Sequence, residues 1–373
     1  MLAIGLMSGT SMDGVDAALV RIENDKVELI DFAILEYDEE FKNKIFRNLN
    51  SKTAKLDEIS NLNFALGYKF VEAIDKLLAK TDYIYDDISF VASHGQTIWH
   101  DPHGNPPSTL QIGEPAVIAY QTKIKTISNF RTMDIAAGGE GAPLVPFSEY
   151  FQFRSDDLNL VFQNIGGISN LTYLKKKGTL DDILSFDCGV GNIMIDYFVK
   201  KYFKIPYDDG GKIALSGKII PEIYNELIKD DFITALPPKS TGREAYSESF
   251  MEEIAMRYHF DKYNFNDIIT TITEITVYGI AYNYQNFLPK IDKIIVSGGG
   301  SHNNYIMSRL KEIFKNVKVL TGGEFGINSD AKEAVAFAVL GYMTLRNKPS
   351  NVRVATGAKH NVVLGNITNS PIN

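Results

Sequence analysis

Gly9-Thr10-Ser11-Met12-Asp13-Gly14-Val15-Asp16 lies between two short apolar runs, residues 2–7 before it and 17–22 after it. A polar, glycine-bearing segment flanked by such runs reads as strand, turn, strand. Asn24-Asp25 makes a second turn, and residues 27–33 a third strand. The same order returns later. Residues 158–163 form a strand, Gly166-Gly167-Ile168-Ser169-Asn170 a turn and 171–174 a strand, and Lys177-Gly178 then leads to a strand at 183–186. This is a coarse internal duplication, carried by pattern rather than identity.

Around these triplets the chain alternates. Helical spacing covers 39–49, 56–80, 192–202, 247–258, 266–286, 303–314 and 330–345. Strand patterns cover 88–93 (ended by His94-Gly95), 126–130, 294–296, 317–320 and 360–364. Strands alternating with helices place the chain in the α/β class. A chain of 373 residues implies two domains at roughly 150 residues each. The expected division is 1–130 plus roughly 350–373, and 131–349.

Composition excludes several classes. Thirty-eight basic against 46 acidic residues give a net charge of −8, which argues against a nucleic-acid or anionic-membrane surface. The longest clean apolar stretch, 334–343, falls short of the ~20 residues a membrane helix needs. Cys188 is the single cysteine, so no intrachain disulfide forms, and a cytoplasmic setting is expected.

Three glycine-rich turns follow apolar strands: 9–16, Asp187-Cys188-Gly189-Val190-Gly191-Asn192, and 297–304 with Gly298-Gly299-Gly300 and Asn303. Glycine lets several backbone N–H groups approach a phosphate, and the second and third turns enter helices whose N-termini favour anions. The P-loop spacing G-x-x-x-x-G-K-[ST] is absent, as is the dinucleotide fingerprint G-x-G-x-x-G. The first turn also enters a strand rather than a helix. A phosphate-type hairpin turn repeated in two halves points to the actin-like ATPase architecture. Read alone, Asp13 and Asp16 are turn caps or metal ligands, Asp187 a helix cap or a general base, and Arg131 an anion contact or a surface ion pair. Trp99 stacks on a sugar face or fills core.

Several stretches together resemble the anhydro-N-acetylmuramic acid kinase family. They are residues 5–17, Ser93-His94-Gly95-Gln96-Thr97-Ile98-Trp99-His100, Thr109-Leu110-Gln111-Ile112-Gly113, Phe130-Arg131, 136–146, Asn164 through Asn170, Phe186-Asp187 with Gly191-Asn192, Ser297 through Gly300 with Asn303, and Lys332-Glu333-Ala334. The resemblance spans nearly the whole chain. It implies duplicated actin-like ATPase (ribonuclease H-like) domains with a deep interdomain cleft. It also implies an ATP- and Mg²⁺-dependent kinase of bacterial cell-wall recycling, which opens 1,6-anhydro-N-acetylmuramic acid with water and phosphorylates O6. A homodimer is a family expectation. The alternatives are a kinase of the same fold for another sugar, or a nucleotide-gated binding module like the Hsp70 ATPase domain.

Carried onto this chain, the resemblance makes Asp187 the base that activates water. Gly9, Thr10, Ser11, Met12, Asp13, Gly14, Val15 and Asp16 cradle phosphates, with Asp13 and Asp16 toward Mg²⁺. Gly166, Gly167, Gly189, Gly191, Gly298, Gly299, Gly300 and Asn303 line the nucleotide, and Gln96, Thr97, Arg131 and Glu333 the sugar. Four positions depart from the family pattern: Asn129 for Asp, Glu140 for Gln, and Cys188 and Val190 within a Phe-Asp-Thr-Gly-Pro loop.

Overall fold

The structure, a computed structural model, describes residues 1–9, 12–242 and 245–371. Its strands are β1 (Leu2–Ser8), β2 (Gly14–Glu23), β3 (Lys26–Glu36), β4 (Phe90–Asp101), β5 (Ser108–Ile112), β6 (Thr126–Ser128), β7 (Leu160–Ile165), β8 (Ile168–Leu174), β9 (Leu184–Val190), β10 (Lys293–Ser297), β11 (Lys318–Thr321) and β12 (Asn366–Thr368). They form two sheets, in the orders β12-β6-β4-β1-β2-β3, with β5 on β4, and β11-β10-β7-β8-β9.

The two orders are the same fold written twice. β1, β2 and β3 pair antiparallel in succession, while β4 joins β1 in parallel and β6 joins β4 in parallel. In the second sheet β7, β8 and β9 pair antiparallel, β10 joins β7 in parallel and β11 joins β10 in parallel. The internal duplication is therefore topological, and each half has the ribonuclease H-like order of the actin-like ATPases.

Two compact units result: residues 1–153 with 330–373, and residues 154–329. The expected boundaries at 130 and 350 differ from this division. The helix Lys332–Leu345 packs on β1, β2 and β4 of the first unit, and the helix Val145–Phe153 packs on that helix. The fit is close. A Cβ on Gly5 would lie 1.8 Å from the Ala334 carbonyl oxygen, and one on Gly341 would lie 2.8 Å from Ala92 Cβ. Glycine inside a strand marks such a backbone approach. The opposite face of this sheet is covered by the helix Leu56–Leu78, whose Leu62, Leu66, Phe70, Ile74 and Leu77 join Ile4, Leu6, Val15 and Leu19 in one core. In the second unit the helix Phe265–Phe287 is buried along most of its length against β9 and the helix Asn192–Phe203.

Other elements shift from expectation. β2 begins at Gly14, so the first turn is shorter than 9–16. β4 continues through His94-Gly95 to Asp101 and pairs with β5. Residues 360–364 are not a strand; the last strand is β12. Among the described residues no helix is long and apolar enough to cross a membrane.

Candidate active site

In the N-terminal unit the candidate residues gather at the carboxyl ends of β1, β4 and β6. Thr10 and Ser11 lie outside the described residues. Gly9 and Met12 close the β1–β2 turn, the Met12 N–H donating to the Gly9 carbonyl at 3.1 Å. Gly14 is required by packing, because a Cβ there would sit 2.2 Å from the Leu35 carbonyl oxygen. The Val15 side chain is core, so it offers a ligand only main chain.

Asp16 stands in β2 opposite Met7. Burial pushes its carboxyl up to about 7, with the charges of Glu333, Asp330 and Asp13 adding to the effect. A carboxylate crowded by three others seeks a cation. Even so, no three His, Cys, Asp or Glu side chains among the described residues are arranged to hold one metal ion. This donor set fits an ion that arrives on phosphates and keeps its water, as Mg²⁺ does. It does not fit a closed protein cage. Glu333 is open to solvent, yet it lies deep enough among protein atoms that burial raises its carboxyl, against the opposing charges of Arg131 and Lys332.

Arg131 follows β6. Its Nε donates to His94 Nε2 at 3.0 Å and its Nη1 to the Gly141 carbonyl at 2.7 Å. With Nε2 accepting, His94 carries its proton on Nδ1, 2.8 Å from the Gly95 carbonyl. Burial, then the Arg131 charge, hold His94 neutral, its pKa well below the ordinary histidine value. Burial lowers the Arg131 guanidinium to about 10, leaving it charged.

A fully buried carboxylate that sequence reading overlooked, Asp134, fixes this corner. It accepts from Gly141 N at 2.8 Å, and from Asn351 Nδ2 and Thr356 Oγ1 at 2.9 Å each. The Gly141 peptide is thus held at both ends, its N–H by Asp134 and its carbonyl by Arg131. The Gln96 side chain is hydrogen-bonded within the unit. Its buried Oε1 lies 2.7 Å from Ser8 Oγ and its Nε2 donates to the Thr97 carbonyl at 3.1 Å, so the side chain ties β1 to β4. Thr97 Oγ1 is half-buried and accepts from Gln111 Nε2 at 3.1 Å.

In the C-terminal unit the Gly166-Gly167 turn, Asn192 and Gly298–Gly300 converge. Asn192 Nδ2 donates to the Ile165 carbonyl at 3.1 Å, and a Cβ on Gly299 would lie 3.4 Å from that nitrogen. Gly298 has φ +79°, and Gly300 leaves no room for a Cβ beside Ile165. Gly166 and Gly167 differ: a Cβ on either would find nothing closer than 3.7 Å. Packing does not demand glycine there.

At two helix ends the polar groups are engaged within the protein. The N–H groups of Gly191, Asn192 and Ile193 are spent on the Gly167, Gly166 and Gly167 carbonyls at 2.9, 2.7 and 3.2 Å, so the helix Asn192–Phe203 does not present them to phosphate. Asn303 caps the helix Asn304–Ile313, its Oδ1 accepting from Tyr305 N and Ile306 N at 3.0 and 3.2 Å. That oxygen caps the helix.

Asp187 lies within β9 rather than after it. Its Oδ2 accepts from Thr241 N at 2.8 Å and Ser240 Oγ at 3.2 Å, and among the described residues Oδ1 accepts nothing. Burial raises this carboxyl above the ordinary value, against those hydrogen bonds and the Lys239 charge. Gly189, with φ +128°, turns the strand end beyond it.

A family model described as anhydro-N-acetylmuramic acid kinase matches residues 1–370. The chain belongs to that family. The anhydro-N-acetylmuramic acid kinase of Clostridioides difficile is 47% identical over 382 residues, covering 100% of this chain and 99% of that one. That of Caldanaerobacter subterraneus subsp. tengcongensis is 43% identical over 382 residues, covering 98% and 96%. Among solved structures, the activator of the 2-hydroxyisocaproyl-CoA dehydratase from Clostridium difficile aligns at a TM-score of 0.47 and 13% identity, over 93% of this chain and 96% of that one.

The departures from the anhydro-N-acetylmuramic acid kinase pattern have physical readings. Asn129 adopts φ +59°, a left-handed conformation that Asn and Asp both tolerate. Cys188 and Val190 are core side chains on β9, so the changes there alter packing. Glu140 pairs with His103 at 3.5 Å on the surface.

Proposed function

We propose that this protein uses ATP to open 1,6-anhydro-N-acetylmuramic acid with water and phosphorylate O6, giving N-acetylmuramic acid 6-phosphate and ADP in cell-wall recycling. The observation that carries the reading is Asp187. In a chain matched to this family over residues 1–370, it is a part-buried carboxylate whose Oδ2 is tied down and whose Oδ1 accepts nothing among the described residues. A base of raised basicity held in one orientation suits proton abstraction from water near neutral pH.

The steps balance as follows. Water adds to the anomeric carbon and gives its proton to Asp187. The bond from that carbon to O6 breaks, and O6 takes the γ-phosphoryl group as ADP leaves. Because O6 gains electron density as its bond breaks, it needs no second base. Phosphoryl transfer asks the protein for positioning and charge. Residues 9–16 supply main-chain donors to phosphate, and Gly166, Gly167 and Gly298–Gly300 admit the nucleotide close to the backbone. Arg131, Thr97 and Glu333 contact the sugar, Arg131 matching a carboxylate such as that of the lactyl group. Asp13 and Asp16 would hold Mg²⁺ through water, and the ion would neutralise charge on the phosphates. A cytoplasmic location and a homodimer belong to the same reading.

Incubation with ATP, Mg²⁺ and the anhydro sugar in ¹⁸O-water tests it. Mass spectrometry of promptly trapped product is expected to find one ¹⁸O on the anomeric carbon and none in the phosphate. Failure to phosphorylate the anhydro sugar, with turnover of an ordinary hexose instead, overturns it.

A further inference from the structure

Pro237-Pro238-Lys239-Ser240-Thr241-Gly242 has the residue types of a phosphate-binding loop, a lysine followed by hydroxyls and a glycine. The structure puts the lysine elsewhere. Lys239 Nζ donates to the Phe232 and Ile233 carbonyls, both at 2.8 Å. The rings of Phe232, Phe287 and Phe186 stand 5.1, 5.4 and 6.0 Å from it. Two of its three protons are on main chain and its flanks face aromatic surface, which is where a cation is held, not where it is offered.

Main-chain bonds from the same segment run to Asp187. The Asp187 N–H donates to the Lys239 carbonyl at 3.0 Å, and Thr241 N and Ser240 Oγ return two bonds to Oδ2. β9 is the outermost strand of its sheet, and among the described residues no further strand pairs with its outer edge. Residues 239–241 cover that edge at Asp187. Both returning donors choose one carboxylate oxygen, so the side chain cannot rotate without losing two hydrogen bonds at once.

We propose that Lys239–Thr241 is the positioning device for the Asp187 carboxylate, with Lys239 as its anchor and Ser240 and the Thr241 N–H fixing Oδ2 so that Oδ1 alone serves as the base. The proposal rests on the reading of Asp187 as the water-activating base. Among the described residues, the charged and titratable groups facing Asp187 are Lys239, the Tyr246 hydroxyl and the Cys188 thiol. Of these three, Lys239 is the one charged near neutral pH, and it acts with the two donors against the effect of burial.

A phosphate ligand and an anchor fail differently. Lys239→Met is expected to lower kcat at least tenfold while the KM for ATP stays within twofold, since a slightly misplaced base costs rate rather than nucleotide affinity. Ser240→Ala removes one donor to the ionised form and moves the acid limb of the kcat profile up by roughly half to one pH unit; Ser240→Thr restores it. The direct readout needs no substrate. ¹³C NMR of aspartate-labelled full-length protein, with the Asp187 signal assigned by its loss in Asp187→Asn, should show the carboxyl titrating higher in Ser240→Ala than in wild type. Circular dichroism melting confirms that each variant is folded. An unchanged Asp187 titration in Ser240→Ala overturns the proposal, as does a tenfold rise in the ATP KM of Lys239→Met at unchanged kcat. If the wild type leaves the anhydro sugar untouched, the functional reading falls, and the NMR titration still decides whether this segment governs the carboxylate.

Discussion

Removing the Asp134 side chain should loosen the N-terminal unit and its Arg131 together. The carboxylate is fully buried and receives three donors at 2.8 to 2.9 Å. In Asp134→Ala the Gly141 N–H loses its acceptor outright. Asn351 keeps a bond to the His360 carbonyl at 3.0 Å and another from Val362 N at 2.9 Å, so it loses one of three. Thr356 Oγ1 keeps only a long contact from Ala358 N at 3.4 Å. Each buried donor left unmade costs roughly 1–3 kcal/mol, and release of a buried carboxylate offsets part of the sum. A net loss of about 3 kcal/mol is expected, which for a unit of about 200 residues lowers Tm by roughly 6–12 °C. Asp134→Asn retains an oxygen for two donors but turns an amide toward Gly141 N–H, so it should lose about half as much.

Trp99, the single tryptophan, lies on β4, so its fluorescence reports unfolding of this unit alone. The Gly141 carbonyl bound by Arg131 shifts with its own N–H, so the KM for the sugar should rise several-fold in Asp134→Ala while that for ATP holds. A Trp99 transition within 2 °C of wild type, or an unchanged sugar KM in a destabilised protein, would refute the reasoning.

Asp187→Asn should keep nucleotide binding by calorimetry while turnover falls about 10²–10⁴-fold; activity within tenfold of wild type would remove Asp187 from the chemistry. Gly5→Ala pushes a methyl to 1.8 Å from the Ala334 carbonyl, and should destabilise the N-terminal unit by several kcal/mol in urea titrations followed by Trp99. His94 is neutral when folded and titrates near 6.5 when unfolded, so below pH 6.5 the unfolded state alone binds its proton and stability falls, by about 1.4 kcal/mol per pH unit. His94→Gln should flatten the stability profile between pH 6.5 and 5 relative to wild type, and parallel profiles would contradict the buried neutral tautomer.

Local pattern made the strand triplets legible, because short apolar runs separated by Gly, Asn and Asp turns hold their signal within a few residues. β4 was harder. Gly95 reads as a breaker, yet it adopts φ +77° within the strand, where a Cβ would lie 2.7 Å from the Ile112 carbonyl oxygen. It is glycine for closeness to β5. The placement of helix Lys332–Leu345 in the first unit was signalled faintly by Gly5, a glycine inside an apolar strand. Asp134 and its partners lie 217 and 222 residues apart, and Asp187 and Thr241 54 apart, distances at which no local periodicity speaks. The Lys-Ser-Thr run was a usable signal for the latter, though its composition suggests phosphate rather than carboxylate.

What the duplication leaves unequal bears on Asp187 as the proposed base. In an open sheet, ligands gather beyond the carboxyl ends of parallel strands, where loops are free to diverge. Gly9 follows β1, Gly95–Thr97 lie midway along β4 where its pairing with β1 ends, Arg131 follows β6, Gly166 follows β7, and Gly298 follows β10. Gly95 and Gly298 even share a left-handed φ, +77° and +79°, one within β4 and the other just after its topological equivalent β10. Each of these positions is braced by neighbouring strands. Asp187 runs toward the same end of its sheet but on the edge strand, which among the described residues pairs with β8 alone. An edge carboxylate has one free flank, and a catalytic base there would sample rotamers and attract water. The segment 239–241 closes that flank, so the precision that neighbouring strands give Gly298 is given to Asp187 by three residues from 50 positions away in the chain, roughly the separation that the Thr241 bond spans.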